Sequence, residues 1–279
     1  MRVSPVDAPA IDAAAVIADL RELARLTGDE RGSQRLCFGE TWREARAFLR
    51  SRLADAGIGE VEVDAAGNLI ARLPGADRDM PALAVGSHID SVPDGGWLDG
   101  ALGVMAALGV VRAWAGHGEP PPRDIVLIDF ADEEGARFGR SLFGSSAVAG
   151  RLDPAELAGA TDAAGVTVEE ALAENGLSLE GAAAAREAGL LDTLGAYLEL
   201  HIEQGPALEA AGVSCSAVSG CAGVERHRLT FRGQASHAGT TPMDLRRDAG
   251  LAAAETALAI ERIARAHGGV GTTGTLELQ

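Results

Sequence analysis

The sequence predicts an α/β protein, its sheet covered by helices on both faces, followed by the start of a smaller αβ domain. Three observations carry this reading. Strand-length apolar runs at Leu83 to Val85, Ile125 to Ile128 and Tyr197 to Ile202 alternate with helical stretches. Each run feeds into a polar cluster, and open α/β sheets bind ligands at the C-terminal ends of their strands. Near Gly212 the texture changes to alternating segments ahead of one long helical stretch.

Taken in order, residues 11–27 predict a helix with Ile17, Leu20 and Leu23 on one face. A second helix is expected from Thr41, where Thr41 and Glu44 match a capping box, and Gly57 stands where a C-terminal cap belongs. Its apolar stripe is Trp42, Ala45, Leu49 and Leu53. Val61 and Val63 alternate with acids, Ala65-Ala66-Gly67 turns, and Asn68 to Leu73 returns, which predicts a hairpin. Helical stretches follow at 100–115 and, broken, around 152–192. Beyond Gly212, Val213 to Val218, Arg226 to Phe231 and Thr275 to Leu278 read as strands, and 244–267 as a long helix. Domain boundaries of 1–212 and 213–279 follow.

Bulk properties narrow the function classes. The 279 residues are 47% hydrophobic, enough for a sizeable core, and the 23% charged is ordinary for a globular chain. A formal net charge of −17 argues against a nucleic-acid surface, which needs a basic stripe. An anionic substrate stays open, because a few local cations can reverse the field inside a cleft. Cys37, Cys215 and Cys221 show no CxxC spacing, so neither a disulfide framework nor a structural zinc site is expected. No apolar stretch is long enough to span a bilayer, and no signal peptide is legible at Met1 to Asp12. A cytoplasmic protein is the expectation.

Four clusters carry chemistry. His88, Asp90 and Asp99 lie in a Gly86-to-Gly100 segment that leaves the first run. Imidazole and carboxylate are ordinary ligands of zinc and similar metals. Asp90 is two positions after His88, the same side of an extended segment, which suits a carboxylate that orients the ring. Asp132, Glu133 and Glu134 follow the second run, and neighbouring side chains there can take separate jobs, base and ligand. His201 and Glu203 alternate onto one face at the end of the third run, next to Gln204. His237 lies in a Gly/Thr/Pro-rich segment of the smaller domain. Each cluster taken singly reads as a solvated turn or a satisfied histidine; their recurrence at successive strand ends favours a site.

Together the stretches GSHIDSVPDGGWLDGALGV, DFADEEGARFGRSLFGS, YLELHIEQGPALE and ASHAGTTPMDLRRDA resemble the M20 metallopeptidase-like amidohydrolases. The branch is that of N-carbamoyl-L-amino-acid hydrolases, allantoate amidohydrolases and β-ureidopropionases. The similarity runs from about residue 12 onward. It implies a zinc-peptidase-like catalytic domain with a mixed sheet covered by helices, and an α+β lid domain, incomplete here, through which the full-length protein forms a homodimer. It implies two divalent metal ions, Zn2+ first, with Mn2+, Co2+ or Ni2+ as alternatives. His88, Asp99 and His201 would hold one ion, and Asp99 would bridge to a second held by Glu134. Glu133 would be the general base and Asp90 would orient His88. Gln204 and His237 would contact the substrate, His237 from the lid of a partner subunit. The substrate would be a small ureido or amide compound with a carboxylate. A further histidine ligand and an Asn/Arg pair lie downstream in such families, so this form is expected to stop before the enzyme is complete and to have little activity. The competing readings are a peptidase or aminoacylase of the same superfamily, and an inactive fragment that at most binds metal or ligand.

Overall fold

The computed structural model describes residues 8–278. They divide into two compact units, with the break between Ser214 and Cys215.

The first unit opens with α1 (Ala13–Thr27), whose N-terminus is capped by Asp12 accepting from the Ala15 N–H at 3.0 Å. Its buried stripe is Val16, Leu20 and Leu23, while Ile17 is exposed. Both residues lie within one turn of Leu20, and the i, i+4, i+7 row wins the core. A two-residue ribbon, β1 (Gly28–Asp29) with β2 (Gly32–Ser33), leads to α2 (Glu40–Asp55). Trp42, Ala45, Leu49 and Leu53 are buried as expected. The expected capping box is not formed. The helix starts one residue earlier with Gly39 as its N-cap, which puts Thr41 and Glu44 inside the first turns. Gly57, at φ +77, closes the other end: its N–H donates to the Ala54 carbonyl and that of Ile58 to the Leu53 carbonyl. This is the paired bonding of a Schellman turn, and the positive φ is why glycine stands there.

Five strands form the main sheet, in the order β3-β4-β6-β5-β7. They are β3 (Glu60–Val63), β4 (Leu69–Leu73), β5 (Ala82–His88), β6 (Ile125–Phe130) and β7 (Leu194–Leu198). β3 and β4 make the expected hairpin, Val63 opposite Leu69. β4 is antiparallel to β6, whereas β5 runs parallel to both β6 and β7, so the sheet is mixed. Because β5, β6 and β7 are parallel, their C-terminal ends share one edge. The third run is shorter than expected, since β7 ends at Leu198 and leaves His201 three residues beyond it.

Between strands run α3 (Ala101–Ala115) and the short helices α4 (Phe143–Val148), α5 (Val168–Glu174) and α6 (Leu179–Ala183). The main core gathers α1, α2 and α3 over one sheet face through residues such as Leu49, Val104, Leu108 and Leu127. Ile70, Ala82, Ala84, Val126 and Ile128 build a smaller cluster on the other face. The unit closes with α7 (Ala207–Ala211).

The second unit contains α8 (Ala249–Ala266), capped by Asp248 accepting from the Leu251 N–H and preceded by a 3-10 turn at Met243–Leu245. The expected strands at 213–218, 226–231 and 275–278 are not formed among the described residues. A strand exists only through a hydrogen-bonded neighbour, and none of these segments has one. Val218, Val224 and Leu229 are correspondingly exposed.

Candidate metal centre

The parallel edge assembles the site. His88 is the last residue of β5 and is opposite Phe130, the last of β6. Asp99 lies just before α3, where Gly100 takes φ +60. A Cβ at Gly100 would collide with the carbonyl oxygen and ring of His88, so a residue without a side chain is required for the helix to start there. His201 arrives on the segment after β7. One donor atom each from His88, Asp99 and His201 falls within 4.8 Å of the others.

Both rings are aimed the same way. His88 Nδ1 lies 3.1 Å from the Asp90 carbonyl oxygen, and His201 Nδ1 lies 2.7 Å from that of Ile202. A carbonyl can only accept, so each Nδ1 carries a proton and each Nε2 is turned to the acids. His88 Nε2 is 3.6 Å from Glu133 Oε2, and His201 Nε2 is 3.2 Å from Asp99 Oδ1. A backbone or carboxylate acceptor on one ring nitrogen, with the other facing an acid-rich space, is how a metal-ligating histidine is usually held. Two imidazoles and a carboxylate are a donor set that suits zinc and its neighbours.

The electrostatics of the pocket favour positive charge. Burial by itself would lower the His88 pKa, but the Asp90 hydrogen bond and the charges of Asp90, Glu133 and Glu134 overcome it and push it up to about 9. Burial raises Glu133 above the ordinary carboxylate range, with His88 pulling it back and Asp90 and Asp99 adding to the rise. Glu134 is raised for the same first reason. Arg35 is fully buried beside these acids: burial brings it down to about 10, against the pull of Asp90, Asp129 and Asp99.

Asp90, two positions from His88, does more than face the ring. Its carboxylate oxygen is 3.5 Å from His88 Nδ1, and the same group accepts from the N–H of Glu133 at 3.3 Å and of Glu134 at 3.2 Å. It thereby ties the end of β5 to the turn after β6. Glu134 is not one of the three clustered donors, although its charge is felt at His88. Gln204 takes φ +56 and donates from its amide to Asp99 Oδ2. Glu203 does not share the face of His201. It turns to accept from the N–H groups of Ala207 and Leu208, both at 2.9 Å, and caps α7. His237 belongs to the second unit.

Several supporting residues had no role in the sequence reading. Glu199 accepts from Ser87 Oγ at 2.5 Å and from the Tyr197 hydroxyl at 2.9 Å, joining the segment that carries His201 to the strand that carries His88. Its period-two spacing to His201 was the available signal. Arg35 donates from Nε to the Ile89 carbonyl at 2.6 Å and from Nη1 to Ser33 Oγ at 2.8 Å. Asp129 accepts from the Ile89 N–H at 2.7 Å and pairs with Arg46 at 2.8 Å. No local pattern announces either arginine, because Ile89 for Arg35 and Asp129 for Arg46 are far away in sequence.

A family model described as Peptidase family M28 matches residues 68–201. An N-carbamoyl-L-amino acid amidohydrolase of Geobacillus stearothermophilus is 45% identical over 249 residues, covering 88% of this chain and 60% of that protein. A probable allantoate deiminase of Oryza sativa subsp. japonica is 38% identical over 250 residues, covering 88% and 50%. Among solved structures, a hydantoinase/carbamoylase family amidase from Burkholderia ambifaria superposes with a TM-score of 0.70 at 35% identity, covering 92% of this chain and 61% of that one. The chain thus spans half to about 60% of the length of these relatives. Over its matched length the chain is similar to the N-carbamoyl-L-amino acid amidohydrolases and allantoate deiminases, the amidohydrolase branch that the four sequence stretches indicate.

Proposed function

We propose that the chain carries the greater part of a two-metal-ion hydrolase that cleaves a linear amide C–N bond in a ureido or carbamoyl group. The observation that supports this most is the convergence of His88, Asp99 and His201 donors within 4.8 Å, with the base candidate Glu133 3.6 Å from His88. The substrate class comes from the relatives named above: N-carbamoyl-L-amino acids or allantoate. His88, Asp99 and His201 would hold one ion, and Asp99 with Glu134 a second. Bound divalent ions would supply Lewis acidity and lower the pKa of a bound water.

The chain's own groups account for the proton traffic. Glu133, raised by burial, is suited to take a proton from water and return it to the leaving nitrogen. Attack at the carbamoyl carbon breaks the C–N bond, and the resulting carbamate falls apart to ammonia and carbon dioxide. Asp90 keeps His88 oriented and, through the N–H groups of Glu133 and Glu134, holds the base in register with the ligands. Gln204 and His237 would contact the substrate, the latter from a lid and dimerisation unit that corresponds to residues 213–279. Zinc is the first choice of ion, with manganese, cobalt and nickel as alternatives. A cytoplasmic setting completes the reading; no helix among the described residues is long and apolar enough to cross a membrane.

The test is metal per chain together with ammonia release from N-carbamoyl amino acids and from allantoate, on the chain and on a longer form that contains it. Glu133→Gln should keep its metal and lose a factor on the order of 10²–10⁴ in rate. A variant with stoichiometric metal and near-normal turnover would remove Glu133 as the base, and consumption of peptides in place of ureido compounds would favour the peptidase alternative.

A further inference from the structure

His237 is presented by a loop that commits its backbone carbonyl and one nitrogen of its ring. Nδ1 accepts from the N–H of Gly239 at 3.1 Å and of Thr240 at 3.2 Å. A ring nitrogen that accepts hydrogen bonds carries no proton, so the neutral imidazole holds its hydrogen on Nε2. Within the second unit nothing among the described residues bonds Nε2, and the residue is exposed. The same loop is gripped by Arg246. Its Nε donates to the Thr241 carbonyl at 3.1 Å, and Nη2 serves the Ala238 carbonyl and lies 3.5 Å from that of His237. The Thr241 N–H closes back onto the His237 carbonyl at 3.3 Å. A planar guanidinium can serve several carbonyls from one rigid fork, which a lysine ammonium on a flexible stem cannot reproduce.

We infer that Arg246 is a positioning residue that locks the 237–241 loop so that His237 acts only as an Nε2–H donor. The loop therefore offers an N–H donor and no ring acceptor at that point. That Nε2 meets a substrate rests on the proposed function; the locked tautomer and the role of Arg246 do not.

The experiment is nitrogen-15 NMR of the histidine side chains in the 279-residue chain at alkaline pH, with the His237 signals assigned by their loss in His237→Gln. The expected spectrum has Nδ1 unprotonated and Nε2 protonated, with a bias of at least about tenfold, the effect of roughly 1.4 kcal/mol from the two backbone bonds. Arg246→Ala should let the two tautomers approach the ratio of free histidine, while the amide signals of α8 persist. Arg246→Lys should restore part of the bias, and it carries the comparison if the alanine variant unfolds. A protonated Nδ1 in the wild type, or a ratio unchanged in both Arg246 variants, overturns the inference. Missing ammonia release with an intact tautomer bias would instead count against the proposed function alone.

Discussion

Gly100 is the residue on which the candidate metal centre turns. Its φ of +60 and its contact with the His88 ring leave no room for a β-carbon. Gly100→Ala is expected to cost roughly 1–3 kcal/mol from backbone conformation alone, because L-residues avoid this region. The larger expected effect is on metal. His88 must shift to relieve the clash, which carries Nε2 away from Asp99 and His201, so metal per chain should fall while the far-ultraviolet spectrum stays close to wild type. A variant that binds metal normally would show that His88 is not held by this contact. That His88, Asp99 and His201 come together was legible in the sequence because all three belong to polar clusters that adjoin strand-length apolar runs. The job taken by Glu203 was not: its two bonds to the start of α7 depend on the chain leaving the strand early, and alternation assumes that the strand continues.

At the scale of elements, two buried carboxylates tie the strands to their surroundings. Asp129 on β6 is fully buried, pairs with Arg46 from α2 at 2.8 Å and receives the Ile89 N–H next to His88. Removing one partner of a buried pair leaves an uncompensated charge, so Arg46→Met should destabilise the chain by about 3–5 kcal/mol. Chemical denaturation measures it, and a loss under 1 kcal/mol would mean that Asp129 stays neutral or finds another partner. Asp124, just before β6, accepts from the Gly75 N–H at 2.8 Å and from Arg72 on β4 at 2.9 Å. Burial would raise its pKa, but these bonds and Arg78 bring it below its ordinary value of 3.8. The stability it contributes is thus complete above that value and lost as pH falls through the lower, folded value. Asp124→Ala should cost about 1.5–3 kcal/mol at neutral pH, the range for bonds to a charged group, and the gap from wild type should close in acid. Denaturation curves at several pH values test the sign, and a gap that widens below pH 4 would refute it.

For the molecule as a whole, the division after Ser214 separates a unit with a continuous core from one whose single long helix buries little. In the first unit, residues from α1 to β7 are bonded into the sheet or packed on it, whereas 213–231 is exposed and has no ladder. Limited proteolysis should therefore cut first between 213 and 248 and leave a fragment that retains α1 to β7, identifiable by mass spectrometry. A first cut within β4, β5 or β6 would contradict the assignment of the core.

The sequence by itself determined the alternation of strands and helices, the stripe of α2, the β3–β4 hairpin and the polar clusters at three strand ends. These are local or periodic signals, set by side chains a few positions apart. Only the tertiary structure decided that Val16 and not Ile17 enters the core, that Gly39 and not Thr41 starts α2, and that 213–231 forms no strand. It alone brought Arg35, Arg46 and Glu199 onto Ile89, Asp129 and Ser87, around His88. Those outcomes depend on which distant backbone or carboxylate lies within hydrogen-bond reach, a distance of about 3 Å that no spacing along the chain encodes.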